Sequence, residues 1–153
     1  MVQIESYQAN WSWVRHTEDW LQSQRTRGGS VLNFPCGQSK IGLRVDIDRT
    51  VKPAVIADFY HPPFKKHSFD DVISDPPFSA YGKGKKWFWV ALADLAKHKL
   101  ILSTNLRHIS GIKGKKSIFL MCDSPNYMRM FQVFEFSKFG FPKAQKKLTE
   151  VFS

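Results

Sequence analysis

The chain has 153 residues, with 23 Lys plus Arg against 13 Asp plus Glu, a formal net charge of +10. A chain of this length buries roughly 70% of its unfolded surface, enough for one real core. Its 42% hydrophobic and 14% aromatic content excludes a disordered basic tail.

In chain order, residues 10–26 read as a helix. Asn10 stands at the N-cap position, Trp13, Trp20 and Leu21 fall near helical spacing, and Gly28-Gly29 close it. Short apolar runs follow. Strands are predicted over 30–34 (SVLNF), 43–47 (LRVDI), 54–60 (AVIADFY) and 69–74 (FDDVIS). Residues 86–97 (KWFWVALADLAK) form the clearest long helix, and 99–104 (KLILST) a fifth strand. Residues 117–122 (SIFLMC) and 130–136 (MFQVFEF) complete the series. The strands are β-branched and almost continuously apolar, the pattern of strands buried on both faces. That favours a three-layer α/β sheet over a sandwich. Only residues 123–129 separate the last two strands, too few for a helical crossover, so an antiparallel strand is expected at one edge.

No repeat, low-complexity tract or linker divides the chain. The reading is one domain over 1–153, with an N-terminal helical segment (1–29), a sheet core (30–136) and a tail (137–153). Cys36 and Cys122 cannot build a disulfide framework or a zinc pattern, and the five histidines show no ligand spacing, so no metal is assigned. No apolar run nears about 20 residues and no secretory leader is visible, which predicts a cytoplasmic protein with no membrane partner. The charge points to a polyanionic partner, most simply nucleic acid, with a plain solubility charge as the alternative.

The pattern richest in chemistry is Asp75-Pro76-Pro77-Phe78, directly after an apolar strand. Average residue usage produces [DNS]-P-P-[YFW] by chance in roughly one of a few hundred such chains. Open α/β sheets bind ligands at the C-terminal ends of their strands, which is where this motif falls. With the order of elements, it resembles the class I S-adenosylmethionine-dependent methyltransferases, and among them the amino-methyltransferases with a D/N/S-P-P-Y/F/W motif after the fourth strand. The resemblance spans residues 30–136 and implies a Rossmann-like, mostly parallel sheet with S-adenosyl-L-methionine as cofactor.

An exocyclic amine on a base is a poor nucleophile, because its lone pair is delocalised into the ring. Acceptors placed on its N–H bonds favour a pyramidal nitrogen and free that lone pair. Asp75 supplies a carboxylate and Pro76 a carbonyl, Pro76-Pro77 stiffen the loop, and Phe78 offers a face for an extruded base. A second Pro-Pro-Phe, at His61-Pro62-Pro63-Phe64, lacks the acid and reads as structural.

The resemblance also implies a cofactor site. The loop Phe34-Pro35-Cys36-Gly37 lies against the methionine part, with Gly37 permitting close backbone approach. Asp46 takes the ribose hydroxyls, with Asp48 as its alternate. Asp58 takes the adenine amino group, with Phe59 beside the ring. Three successive strand ends thus carry an acid. The sequence departs from the family at 38–42 and 49–53, spacings too short for crossover helices, and in lacking a full glycine-rich loop. One sheet face is therefore expected to lack its early helices, closed by the N-terminal helix or by a second subunit in a homodimer.

Lys83, Lys85 and Lys86 follow the motif, and Arg107, Lys113, Lys115 and Lys116 follow the fifth strand. They are the candidate phosphate contacts, expected near the catalytic edge. The expected activity is methylation of an exocyclic base amine, adenine N6 in DNA ahead of RNA. A non-catalytic nucleic-acid-binding accessory subunit with a methyltransferase fold is the alternative.

Overall fold

A computed structural model of the protein describes residues 13–77, 87–104, 109–124 and 127–137. These form a seven-stranded sheet and two helices: α1 (Arg15–Gln24), β1 (Val31–Asn33), β2 (Leu43–Asp46), β3 (Val55–Ile56), β4 (Phe69–Ser74), α2 (Trp87–Leu95), β5 (Ala96–Ser103), β6 (Lys115–Ser124) and β7 (Tyr127–Glu135). The strand order is β3-β2-β1-β4-β5-β7-β6. The first five strands in that order are parallel. Strand β7 enters antiparallel against β5, and β6 pairs antiparallel with β7 at the edge. The fold is α/β, a mostly parallel sheet with an antiparallel pair at one edge, as the few residues between the last two strands imply.

Successive residues of β4 and β5 feed opposite layers, as strand periodicity demands. Val72, Leu100 and Leu102 join Leu32, Val45 and Phe134 beneath α2, which contributes Phe88, Trp89, Leu92 and Leu95. Ile73 and Ile101 join Val31, Phe131 and Val133 on the other face, against Trp13, Trp20 and Leu21. The indole of Trp20 lies 5.0 Å from the Phe119 ring and 5.1 Å from that of Phe131. Each such side chain, fully buried, contributes about 1.5–3 kcal/mol.

The sequence reading places α1 too early. Trp13 and Val14 are extended, and the helix starts at Arg15 with Val14 at the cap position and no side-chain cap. Asn10 lies outside the described residues. Helix α1 also covers β1, β4, β5, β7 and β6 rather than the β2–β3 end, where Ile47 and Ile56 stay exposed. Strand β3 is much shorter than the predicted 54–60. The chain turns at Asp58, whose Oδ1 accepts the Tyr60 N–H at 3.0 Å.

Neither early crossover contains an α-helix, as the spacings imply. Residues 34–42 link β1 to β2, and a single 3-10 turn at Arg49–Val51 lies between β2 and β3. Arg44 on β2 takes over the tethering. Its guanidinium donates to the carbonyls of Ser39 (2.7 Å), Gly37 (3.0 Å), Val51 (2.7 Å) and Lys52 (3.0 Å). Glu18 of α1 holds the same first loop, accepting from Ser39 Oγ at 3.0 Å and Lys40 N–H at 3.2 Å. The return into β2 passes through Gly42 at φ 62°, where a Cβ would stand 2.5 Å from the Val31 carbonyl oxygen. Only glycine fits so tight a return.

Candidate functional site

The order reverses between β1 and β4: β2 and β3 extend on one side, β5 and its neighbours on the other. A crevice outside the carboxyl ends of the strands at such a point is where doubly wound sheets hold ligands. Asp46 and Asp75 leave the C-terminal ends of β2 and β4, and Asp58 follows β3. The register of the parallel strands sets all three at one edge of the sheet.

The loop after β1 is fastened by the continuing ladder. Phe34 N–H donates to Ile73 O and Cys36 N–H to Val45 O, each at 3.0 Å. Gly37, at φ 48°, then turns the chain and aims its N–H at Asp46 Oδ2, 2.9 Å away. Asp48 N–H donates to Asp46 Oδ1 at 3.0 Å. A carboxylate offers about four lone-pair sites. Among the described residues one therefore remains on each oxygen, the arrangement a vicinal diol needs for bidentate contact. Asp48 is committed elsewhere: its Oδ1 accepts the N–H and hydroxyl of Thr50, which hold its carboxyl below the usual range.

Phe34 and Cys36 are fully buried, and Pro35, joined to Phe34 by a cis peptide, is half-buried. Burial, followed by the Asp46 charge, pushes the Cys36 thiol up to about 11. It is a neutral packing group, not a nucleophile. Asp58 Oδ2 lies 3.2 Å from His61 Nδ1. Phe59 is buried, 4.3 Å from the Tyr60 ring, 5.4 Å from Phe88 and 6.5 Å from Phe34. It forms the floor of this end of the sheet. The second Pro-Pro-Phe is structural as read: Phe64 packs edge-on against Phe69 at 5.2 Å.

Asp75 is engaged on one face of the sheet. Arg129 Nη1 donates to its Oδ2 at 2.5 Å, each side chain being 10% exposed. Trp13 Nε1 donates to the same oxygen at 3.2 Å, and the Ser103 side chain bonds the carboxylate as well. Burial raises the Asp75 carboxyl above the usual range, opposed by Arg129 and these hydrogen bonds. Pro76 is buried and Pro77 half-buried; Phe78 lies outside the described residues.

Two further polar atoms stand at these strand ends. Asn33 Oδ1 and Ser74 Oγ belong to fully buried residues and have no hydrogen-bond partner among the described residues. Asn33 donates through Nδ2 to Ile41 O at 3.2 Å. Unsatisfied buried polar atoms are costly, so their place at these strand ends fits a polar ligand.

The basic residues divide differently from the sequence reading. Lys83, Lys85, Lys86 and Arg107 lie outside the described residues. Lys113, Lys115 and Lys116 do not flank the carboxyl ends of the parallel strands. Strand β6 runs in the same direction as β5, so its first residues lie at the level where β5 begins. Lys115 therefore pairs in register with Glu135, which itself pairs with Lys99 near the start of β5. Six residues of β7 separate that level from Arg129, roughly 20 Å of strand. Lys115 Nζ is 3.8 Å from Glu135 Oε2.

Sequence reasoning missed Arg129, Trp13, Ser103 and Arg44. No spacing marks a partner that arrives from another strand. Among the described residues no cluster fits a metal ion and no helix is long and apolar enough to cross a membrane. No protein-family model matches the chain, and no curated protein matches it either.

Proposed function

We propose that the protein is an S-adenosylmethionine-dependent methyltransferase acting on an exocyclic base amine, adenine N6 in DNA ahead of RNA. The observation that carries this reading is the joint placement of Asp46, Asp58 and Asp75-Pro76-Pro77 around one switch point, on a sheet ordered 3-2-1-4-5 before its antiparallel pair. The nucleic-acid part draws its support from the net charge of +10.

The residues present fit the cofactor. Among the described residues, Asp46 keeps a lone pair on each oxygen for the two ribose hydroxyls, Asp58 offers a carboxylate to the adenine amine, and Asn33 Oδ1 and Ser74 Oγ are buried without partners at the adjoining ends. When bound, S-adenosylmethionine supplies a methyl group already activated on a sulfonium. The chain's own work is alignment. Asp75 and the Pro76 carbonyl accept the N–H bonds of the amine and leave its lone pair free to form the new N–C bond. Asp75 would also be placed to accept the proton shed by the nitrogen, directly or through water, as the sulfonium's leaving thioether retains the C–S bonding electrons.

Labelled cofactor, mixed DNA and RNA oligonucleotides and nucleoside analysis test the proposal. N6-methyladenine in DNA is expected. Cofactor binding with label in no nucleoside would overturn the substrate assignment.

One observation favours a second reading, a non-catalytic nucleic-acid-binding subunit on the same fold: the Asp75 carboxylate is already paired with Arg129. Melting with and without S-adenosylmethionine separates the two. Ligand at 100 times its dissociation constant adds about 2.7 kcal/mol of stability, whereas no shift at millimolar ligand supports the accessory role.

A further inference from the structure

Asp75 and Arg129 come from strands that are not neighbours. Strand β5 lies between β4 and β7, and Ser103, its last residue, pairs in register with Phe131. Arg129 is two residues before Phe131 and so shares its face, the face of Ile73 and α1. Its guanidinium thus passes over the end of β5 to reach Asp75, and Trp13 closes the contact from the chain entering α1.

The arrangement leaves a defined remainder. A carboxylate accepts at about four positions. Arg129, Trp13 and Ser103 occupy three, two of them on Oδ2. Among the described residues, one position is left for an incoming N–H. The charge recorded against Asp75 among the described residues is that of Arg129 on β7; Trp13, from the N-terminal segment, and Ser103, on β5, are neutral donors. Burial raises the Asp75 carboxyl even beside Arg129, whose charge opposes that rise, so losing Arg129 would raise it further and weaken Asp75 as an acceptor.

We infer that Arg129 is a positioning residue for Asp75: by pairing with Oδ2 it holds the carboxyl in one orientation, with its remaining lone pair turned to the substrate amine. The inference rests on the proposed methyl transfer and names the residue that makes Asp75 competent for it.

The test uses the full chain as wild type, R129Q, R129K and W13F. Three quantities are followed: methyl transfer against pH, cofactor affinity by calorimetry, and the Asp75 carboxyl titration by carbon-13 NMR. In R129Q, kcat at pH 7 falls about 100-fold. Its rate climbs about tenfold per pH unit as Asp75 ionises again, and cofactor affinity stays within about twofold of wild type. R129K, which keeps the charge, recovers part of the rate and moves the profile back. W13F, which removes a neutral donor but no charge, moves the profile in the same direction and less than R129Q does. An R129Q profile parallel to wild type, or an Asp75 titration unmoved in R129Q, overturns the inference. Should R129Q fail to fold, R129K decides: a charge-retaining variant whose Asp75 titration departs from wild type as far as that of free carboxyls refutes the pairing. Wild type that binds no cofactor refutes the methyltransferase reading instead, and the titration still reports on Arg129.

Discussion

The backbone N–H of Gly37 donates to Asp46 Oδ2 at 2.9 Å, joining the loop after β1 to the carboxylate that ends β2. Both belong to the proposed cofactor site, so the loop and the acid hold one another in place before any ligand arrives. Such preorganisation lowers the ordering cost of binding.

Asp46→Ala removes the acceptor of both the Gly37 and the Asp48 N–H groups. Two orphaned donors cost about 1–3 kcal/mol each where they stay desolvated. The variant should unfold at lower urea and lose the thermal shift produced by S-adenosylmethionine. Urea melts and calorimetry check both effects. Unchanged cofactor affinity would move the ribose contact away from Asp46, and Asp48, already tied to Thr50, would be a poor substitute.

Asp75→Asn keeps the size of the side chain but removes its charge. Methyl transfer should drop by about 100-fold or more, with cofactor affinity within about threefold of wild type. Asp75→Ala removes the carboxylate paired with the Arg129 guanidinium at 10% exposure and should lower stability by up to about 3–5 kcal/mol. Turnover and urea midpoints must therefore be measured on the same preparations. Near-normal turnover in Asp75→Asn would remove Asp75 from the reaction.

The sheet was legible because its strands are short apolar runs cut by Pro and Gly: β4 was placed at 69–74, its observed span. The lack of early helices followed from spacing alone. What stayed hidden depends on contacts between distant residues. Strand β3 ends early because Asp58 bonds its own turn, a choice local propensity does not make. Lys115 sits at the level where β5 begins because β6 runs in the same direction as β5, which a loop's composition does not disclose. The Asp75–Arg129 pair spans 54 residues and needs β7 inserted beside β5 before it exists.

Arg44 should behave as a structural clamp. Arg44→Met removes donors to four carbonyls on two loops, and Arg44→Lys cannot reproduce a planar fork. A loss on the order of 3 kcal/mol is expected for Met, with hydrogen exchange accelerated at residues 36–40 and 50–54 ahead of β4 and β5. Uniform acceleration across the sheet would show that Arg44 serves the whole fold rather than the two helix-free crossovers.

The two thiols should differ sharply in reactivity. Cys122 is exposed, whereas Cys36 is buried beneath the Gly37 turn. Thiolate is the reactive form, and the Cys36 thiol is pushed up to about 11 by burial and the neighbouring Asp46 charge. At pH 8, alkylation should therefore label Cys122 first, and Cys36 only after unfolding. The same shift sets a pH dependence. The unfolded chain releases the Cys36 proton near 9.0, while the native chain keeps it to about 11. Between those values the native state binds more protons, so stability falls as pH rises. Cys36→Ala removes this contribution and should flatten the decline in urea midpoint over that window. A Cys36→Ala profile as steep as wild type would show that other groups, such as lysines losing charge, set the alkaline limit.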